Sequence, residues 1–299
     1  MGDLYRPISF GGNVDPTAGD PRWPLRLTHA IEAMGLEFVG IQDHPYNPQF
    51  LDTWTLLATL AQATTQVRLF PNVANLPLRP PAMLAKAAAT LDVLSDGRIE
   101  LGLGAGAIWE GIGAMGGPER SPGAAVEALE EAIQIIRAFW SDARAVRFLG
   151  RHYQVRGARP GPRPAHPIGI WLGAYGPRML ALTGRLADGW VPSSSYAPPD
   201  RLPAMQQRID EAAHAAGRDP RDIRRVYNVM GRITRGPRQG VLDGPASVWI
   251  AELTHLVVDV GMDTFIFWPA EDRLRQLEIF AAEVVPGVRE AVTRARGAV

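Results

Sequence analysis

Residues 83–106, MLAKAAATLDVLSDGRIELGLGAG, couple a helix to a buried strand. From Met83 to Leu94 apolar residues recur at three- and four-residue spacing with alanines between them. That is the pattern of an amphipathic helix packed closely on a neighbour. Ser95-Asp96-Gly97 closes the helix, and Ile99-Glu100-Leu101-Gly102-Leu103 forms a buried strand running straight into Gly104-Ala105-Gly106. A strand ending in residues without bulky side chains lets a flat ring or a phosphate approach the backbone. The functional end of the molecule is expected where this strand stops.

The same alternation extends in both directions. Upstream, strands are expected at Pro7–Gly11, Leu36–Gln42 and Val67–Pro71, with helices at about Pro24–Met34 and Asp52–Ala63. Downstream, the fourth strand, Ile99–Gly104, leads into AIWEGIGAMGGP (107–118), which reads either as a lid or pocket wall or as a loose connection with Trp109 in the core. A helix at Pro122–Trp140 follows, then a hairpin pairing Ala145–Phe148 with His152–Val155. Strands at Ile168–Leu172, Gly189–Val191, Arg225–Ile233 and Thr264–Trp268 precede helices at Pro177–Leu186, Arg201–Ala216, Ser247–Val260 and Arg273–Val284. This repeated alternation without a linker predicts one α/β unit over 1–299, a (β/α)8 TIM barrel with a loop insertion after strand 4 and a hairpin near 145–155. The alternative, a doubly wound sheet, needs a break near the middle, and only the Arg/Pro-rich stretch 156–167 offers one.

Composition narrows the function classes. An apolar fraction of 46% and a charged fraction of 21% are those of a soluble globular chain. Thirty-one basic residues balance 31 acidic ones, which argues against nucleic acid or an anionic membrane as partner. With no cysteine, thiolate zinc sites, iron–sulfur clusters and cysteine nucleophiles are excluded. No leader pattern or long apolar run is present, so a cytoplasmic protein is expected.

In a barrel the strand C-termini build the site. The candidates are Gly11-Gly12-Asn13, Asp43-His44, Asn72-Val73-Ala74, Gly104-Ala105-Gly106, Gly173-Ala174-Tyr175-Gly176, Pro192-Ser193 and Trp268. This set is poor in acids and rich in small and aromatic residues, which suits a flat heterocycle better than a metal-bound substrate. At Gly173–Gly176 a strand end meets a helix opened by Pro177, whose missing N–H costs nothing there. Exposed backbone donors, the helix dipole and Arg178 make it an anion site; any strand–helix turn, however, uses Gly and Pro. Asp43 and His44 are expected to face the barrel mouth, where a histidine titrating near neutrality serves as general acid or base. One His and one Asp do not make a metal site, so none is expected. Gly102–Gly106 lacks the G-x-G-x-x-G spacing, and no phosphate-loop motif occurs, so nucleotide folds of those types are rejected.

Three motifs together carry a family resemblance: Asp43-His44 after strand two, TLDVLSDGRIELGLGAG at 90–106, and LGAYGPRMLALTGRLADGW at 172–190. The chain resembles the luciferase-like flavin-dependent oxidoreductases, and more closely their coenzyme F420-dependent branch. The resemblance implies a flavin or deazaflavin ring lying against the strand ends, backed by a bulge with a non-prolyl cis peptide at Asn72–Val73, next to Ala74 and to Gly104, Ala105 and Gly106. It implies a cofactor phosphate held by Gly173, Ala174, Tyr175, Gly176, Pro177 and Arg178, with Asp43 and His44 beside the reactive edge. Relatives acting on sugar phosphates carry an acid where this chain has Ala107, so a more apolar substrate is expected, in a pocket with Trp109 and Met115.

The expected activity is hydride transfer between coenzyme F420 and a small organic substrate, with His44 exchanging the proton and the redox chemistry belonging to the cofactor. The alternative is an FMN-dependent two-component monooxygenase supplied by a separate reductase. A non-catalytic flavin-binding protein is a third reading, and a metal-dependent barrel hydrolase, disfavoured by the ligand count, a fourth. The resemblance also implies a homodimer.

Overall fold

The computed structural model describes residues 5–298. Its strands are β1 (Ser9–Asn13), β2 (Phe38–Ile41), β3 (Arg68–Pro71), β4 (Leu101–Gly104), β5 (Ile170–Leu172), β6 (Gly189–Trp190), β7 (Arg224–Ile233) and β8 (Thr264–Pro269). Each is parallel to its neighbours in the circle, β8 returning to β1 through Ser9 opposite Thr264. Between β3 and β4 the Leu69 amide donates to the Arg98 carbonyl and the Glu100 amide donates to the Leu69 carbonyl. Further along, Ala74–Asn75 resumes beyond a bulge and pairs with Leu103–Gly104. The sheet is thus a closed parallel barrel, as the alternation predicts.

Helices α1 (Trp23–Ala33), α2 (Thr53–Ala63), α3 (Pro81–Leu94), α4 (Trp109–Ala114), α5 (Pro122–Phe139), α6 (Pro177–Leu186), α7 (Leu202–Ala215), α8 (Ala246–His255), α9 (Arg273–Ile279) and α10 (Val285–Gly297) accompany the strands. The α3 stripe Leu84, Ala85, Ala88, Leu91 is buried, and its alanines let the helix lie close to its neighbours. The turn after it is a true reversal, with Asp96 and Gly97 at φ 55° and 81°. Asp92, fully buried at the end of α3, accepts from the amides of Ile99 and His166, so one carboxylate sets the start of β4 and the approach to β5.

Inside the barrel Phe38, Phe70 and Trp171 stack edge to face, with Trp171 centroids 5.6 and 5.1 Å from the two phenylalanines. Arg224 covers Phe38 from below at 5.0 Å, and beside it Arg68 pairs with Glu100 at 2.6 Å. The N-terminal mouth is therefore plugged by charge and the interior by aromatic rings. Among the described residues, the C-terminal mouth carries an open cavity.

Two segments differ from the sequence reading. Residues 107–118 contain the helix α4, pinned by Ile112, which is fully buried. Past Val284 the chain stays helical as α10: residues 280–284 wind as a π turn, and Pro286, which has no N–H to give, follows directly at that change of winding. The hairpin is present, as Val146–Leu149 against Gln154–Ala158. Its loop is held by the Glu131 carboxylate of α5, which accepts from the amides of Arg151, His152 and Tyr153.

Candidate functional site

The bulge after β3 builds the floor of the open mouth. The peptide between Asn72 and Val73 is cis, as the resemblance implied. Glycines let β4 close on this bulge: a Cβ at Gly102 would run into the Pro71 carbonyl, and one at Gly104 would lie 2.8 Å from Val73 Cγ2. Gly173 faces the same valine from β5. Val73 is thus presented on a floor free of competing side chains, a surface suited to a planar ligand.

Asn72 is held from across the barrel. Its Nδ2 donates to Asn228 Oδ1 at 2.7 Å, while Asn228 Nδ2 donates to Asn72 Oδ1 at 3.1 Å and to Ser193 Oγ at 3.0 Å. On the other side Asp43, nearly fully buried, accepts from the Asn75 amide at 3.0 Å and from Arg79 Nε at 3.2 Å. Arg79 also reaches Asp52, the N-cap of α2. Asp43 thus faces the mouth as expected, and its carboxylate is spent on fixing the bulge.

Above this floor lies a cavity of about 570 Å³. Asp43, His44, Asn72, Val73, Ala74, Gly104, Ala105, Gly106, Gly173, Tyr175 and Gly176 all line it. A second cavity of about 450 Å³ adjoins it and shares Ala105, Gly106, Gly176 and Met179. Pro177, Arg178 and Trp109 line this second space, facing Pro122 and Gly123 at the start of α5. Two expected residues lie elsewhere. Ala174 is fully buried beneath the floor, its carbonyl accepting from Trp190 Nε1 at 2.9 Å. Met115, just past the end of α4, is half exposed and lines neither cavity, because the α4 turn spends its inward position on Ile112.

His44 Nδ1 and the Tyr46 hydroxyl share a 2.7 Å hydrogen bond. Burial lowers the affinity of His44 for a proton below that of an ordinary histidine, against the opposing pull of Asp43. A neutral imidazole is therefore the resting form at neutral pH. Burial, reinforced by Asp43, raises Tyr46, which stays a phenol. The Tyr175 hydroxyl accepts from the Ser193 amide at 3.1 Å, and its ring stands 5.5 Å from that of Tyr196.

Several lining residues were not singled out from the sequence: Gln42, Tyr46, Asn75, Met179, Ser195, Tyr196, Asn228 and Met230. Asn228 lies mid-strand in β7, and no local pattern marks it. Tyr46, two residues after His44, could have been flagged by that spacing.

Arg178 opens the first turn of α6, a helix whose N-cap, Gly176, offers no side-chain hydrogen bond. The backbone donors there are free for an anion. Its guanidinium is largely exposed and lies 3.6 Å from Glu127. Among the described residues no group of three or more His, Cys, Asp or Glu is placed to hold a metal ion. No helix among them is long and apolar enough to cross a membrane.

The model of the luciferase-like monooxygenase family matches residues 7–235. An F420-dependent glucose-6-phosphate dehydrogenase from Intrasporangium calvum is 28% identical, over 94% of this chain and 99% of that protein. A phthiodiolone/phenolphthiodiolone dimycocerosates ketoreductase from Mycobacterium tuberculosis is 37% identical, over 74% of this chain and 56% of that protein. Among solved structures, an F420-dependent secondary alcohol dehydrogenase in complex with an F420-acetone adduct superposes with a TM-score of 0.84. It is 20% identical and covers 95% of this chain and all of that one, a likeness of fold.

Proposed function

The chain belongs to the luciferase-like monooxygenase family, and from that premise we propose that it is an oxidoreductase using coenzyme F420 to move a hydride to or from a small, largely apolar carbonyl or alcohol substrate. The observation that carries this reading is the pair of adjoining cavities. One has a bare floor built by the Asn72–Val73 bulge, and the other ends on the free N-terminus of α6 with Arg178. Their shared wall of Ala105, Gly106 and Gly176 would let a single ligand with a flat head and an anionic tail occupy both. At about 570 Å³ the first cavity also falls within the range of small-molecule sites.

When bound, the deazaflavin supplies the hydride chemistry. This chain's residues hold the ring on the bulge, anchor the phosphate at Gly176–Arg178, and place His44 to exchange the proton at the substrate oxygen. The relatives support the cofactor: the full-length match is F420-dependent, and so is the superposed alcohol dehydrogenase.

The substrate side of the mouth is lined by Ala107, Met230, Trp268 and Tyr196. Where the sugar-phosphate enzymes place an acid, Ala107 offers a methyl group. A neutral substrate with apolar bulk follows, in keeping with the ketoreductase relative. The family name favours one second reading, an FMN-dependent monooxygenase fed by a separate reductase. The test is to follow F420 absorbance under anaerobic conditions with panels of secondary alcohols, ketones and sugar phosphates. Turnover of neutral alcohols or ketones is expected. Turnover confined to glucose 6-phosphate, or activity only with reduced FMN and oxygen, would overturn the proposal.

A further inference from the structure

His44 is only as useful as its ring is well aimed, and the chain contains a device that aims it. The Tyr46 hydroxyl lies 2.7 Å from Nδ1, leaving Nε2 as the ring nitrogen without that partner. Tyr46 is itself clamped from above by α4. A Cβ built on Gly111 would lie 2.7 Å from Tyr46 Cγ and 3.0 Å from its Cβ. Only a glycine lets the helix settle on the phenol ring this closely.

Resting on the proposed hydride-transfer reading, we infer that Tyr46, seated by Gly111, is the positioning residue for His44: it accepts the Nδ1–H hydrogen bond and so reserves Nε2 for proton exchange with the substrate oxygen. In alcohol oxidation the hydroxyl O–H bond breaks and its proton goes to Nε2. A bound deazaflavin would supply the acceptor for the hydride released from the adjacent C–H bond as the C=O bond forms. The resulting imidazolium keeps its Nδ1–H on Tyr46 and returns the extra proton to solvent. In carbonyl reduction the same steps run backwards.

The direction of the hydrogen bond does not change between the two charge states, so nothing has to reorganise during proton transfer. Tyr46 strengthens its contact when the ring becomes cationic, because a charged donor makes the stronger bond. The other charges around the pair are few. Asp43 precedes His44, but its carboxylate is held by Arg79 from the loop ahead of α3. From α4 the nearest acid is Glu110, which is exposed. A proton affinity lowered by burial keeps Nε2 free to act as base at neutral pH; a phenol oxygen accepting from Nδ1–H favours the protonated ring and so opposes that lowering.

The test begins on the protein without cofactor, with the imidazole of His44 titrated by histidine-labelled NMR and its signal assigned through a His44→Gln variant. In Tyr46→Phe, which keeps the ring under α4 and removes only the hydroxyl, the His44 pKa is expected to fall by about one unit. With cofactor and an alcohol substrate, the acidic limb of the pH–kcat profile should move down by the same amount. kcat should drop about tenfold with little change in KM for the cofactor. An unchanged His44 titration in Tyr46→Phe overturns the inference whether or not F420 binds, since that readout needs no cofactor. A shifted titration without a shift of the kinetic limb overturns it equally. A shifted titration in a protein that binds no F420 supports control of His44 by Tyr46 and removes only the hydride-transfer reading.

Discussion

Asn72 and Asn228, 156 residues apart, exchange two side-chain hydrogen bonds, of 2.7 and 3.1 Å, across the floor of the barrel mouth. Both amides are buried, so each is the other's substitute for water. Truncation of one leaves the other with polar atoms unpaired in a site that cannot hydrate them freely. Asn228→Ala should therefore lower unfolding stability by about 1–3 kcal/mol. It should also weaken F420 binding by loosening the bulge. Urea denaturation and a binding titration check both, and the prediction fails if the two are unchanged.

Gly176 lines both cavities, yet a Cβ built on it meets nothing within 4 Å. Its backbone, φ −80° and ψ 157°, is extended and open to any residue. Gly176→Val should lower stability by no more than about 1 kcal/mol, the cost of an apolar residue at the N-cap of α6 with no clash. The added side chain would stand at the junction of the cavities, so F420 affinity should fall more than about tenfold. Normal binding by a normally stable variant would show that the ligand does not span that junction.

Arg79 is the cation for Asp43, a carboxylate with almost no contact with solvent. Arg79→Met strands that charge, a defect that costs about 3–5 kcal/mol when one member of a buried pair is lost. The Asn75 amide still donates to Asp43, which places the expected loss near the lower end, about 3 kcal/mol. Chemical denaturation near pH 7 measures it. A loss below about 1 kcal/mol would mean that Asp43 is better hydrated than its burial implies.

His44 also links stability to pH. Burial depresses its folded-state proton affinity, so between the unfolded pKa of about 6.5 and the lower folded value the unfolded chain binds the extra proton. Its contribution to stability is fully present above that window and is lost as pH falls through it. Unfolding free energies of the parent measured from pH 7.5 to 5 should decline more steeply than those of His44→Gln. Parallel curves would contradict the assignment of a depressed histidine.

The parts of this architecture written in contiguous chain were legible in the sequence. Residues 83–106 declare their helix, turn and strand through spacing and composition, and Gly173–Arg178 declares a helix start through Gly and Pro. Asn228 was not legible, because its function depends on meeting Asn72 across the barrel and β7 looks locally like any buried strand. Asp43 was located, yet its partner Arg79 reaches it from another loop, and only the folded chain shows the carboxylate to be occupied. The stretch 107–118 reads as loop because glycine lowers helix propensity; the burial of Ile112 outweighs that cost, and the same turn of helix leaves Met115 outside.

In the proposed function the two adjoining cavities together hold one deazaflavin cofactor. Titration of the purified protein with coenzyme F420 and with FMN, each oxidised and reduced, measures it by fluorescence or calorimetry. The account predicts F420 binding in the micromolar range or tighter, about −8 kcal/mol, with FMN markedly weaker and with Gly176→Val impaired. Tight FMN binding with weak F420 binding, or binding of neither, would contradict it.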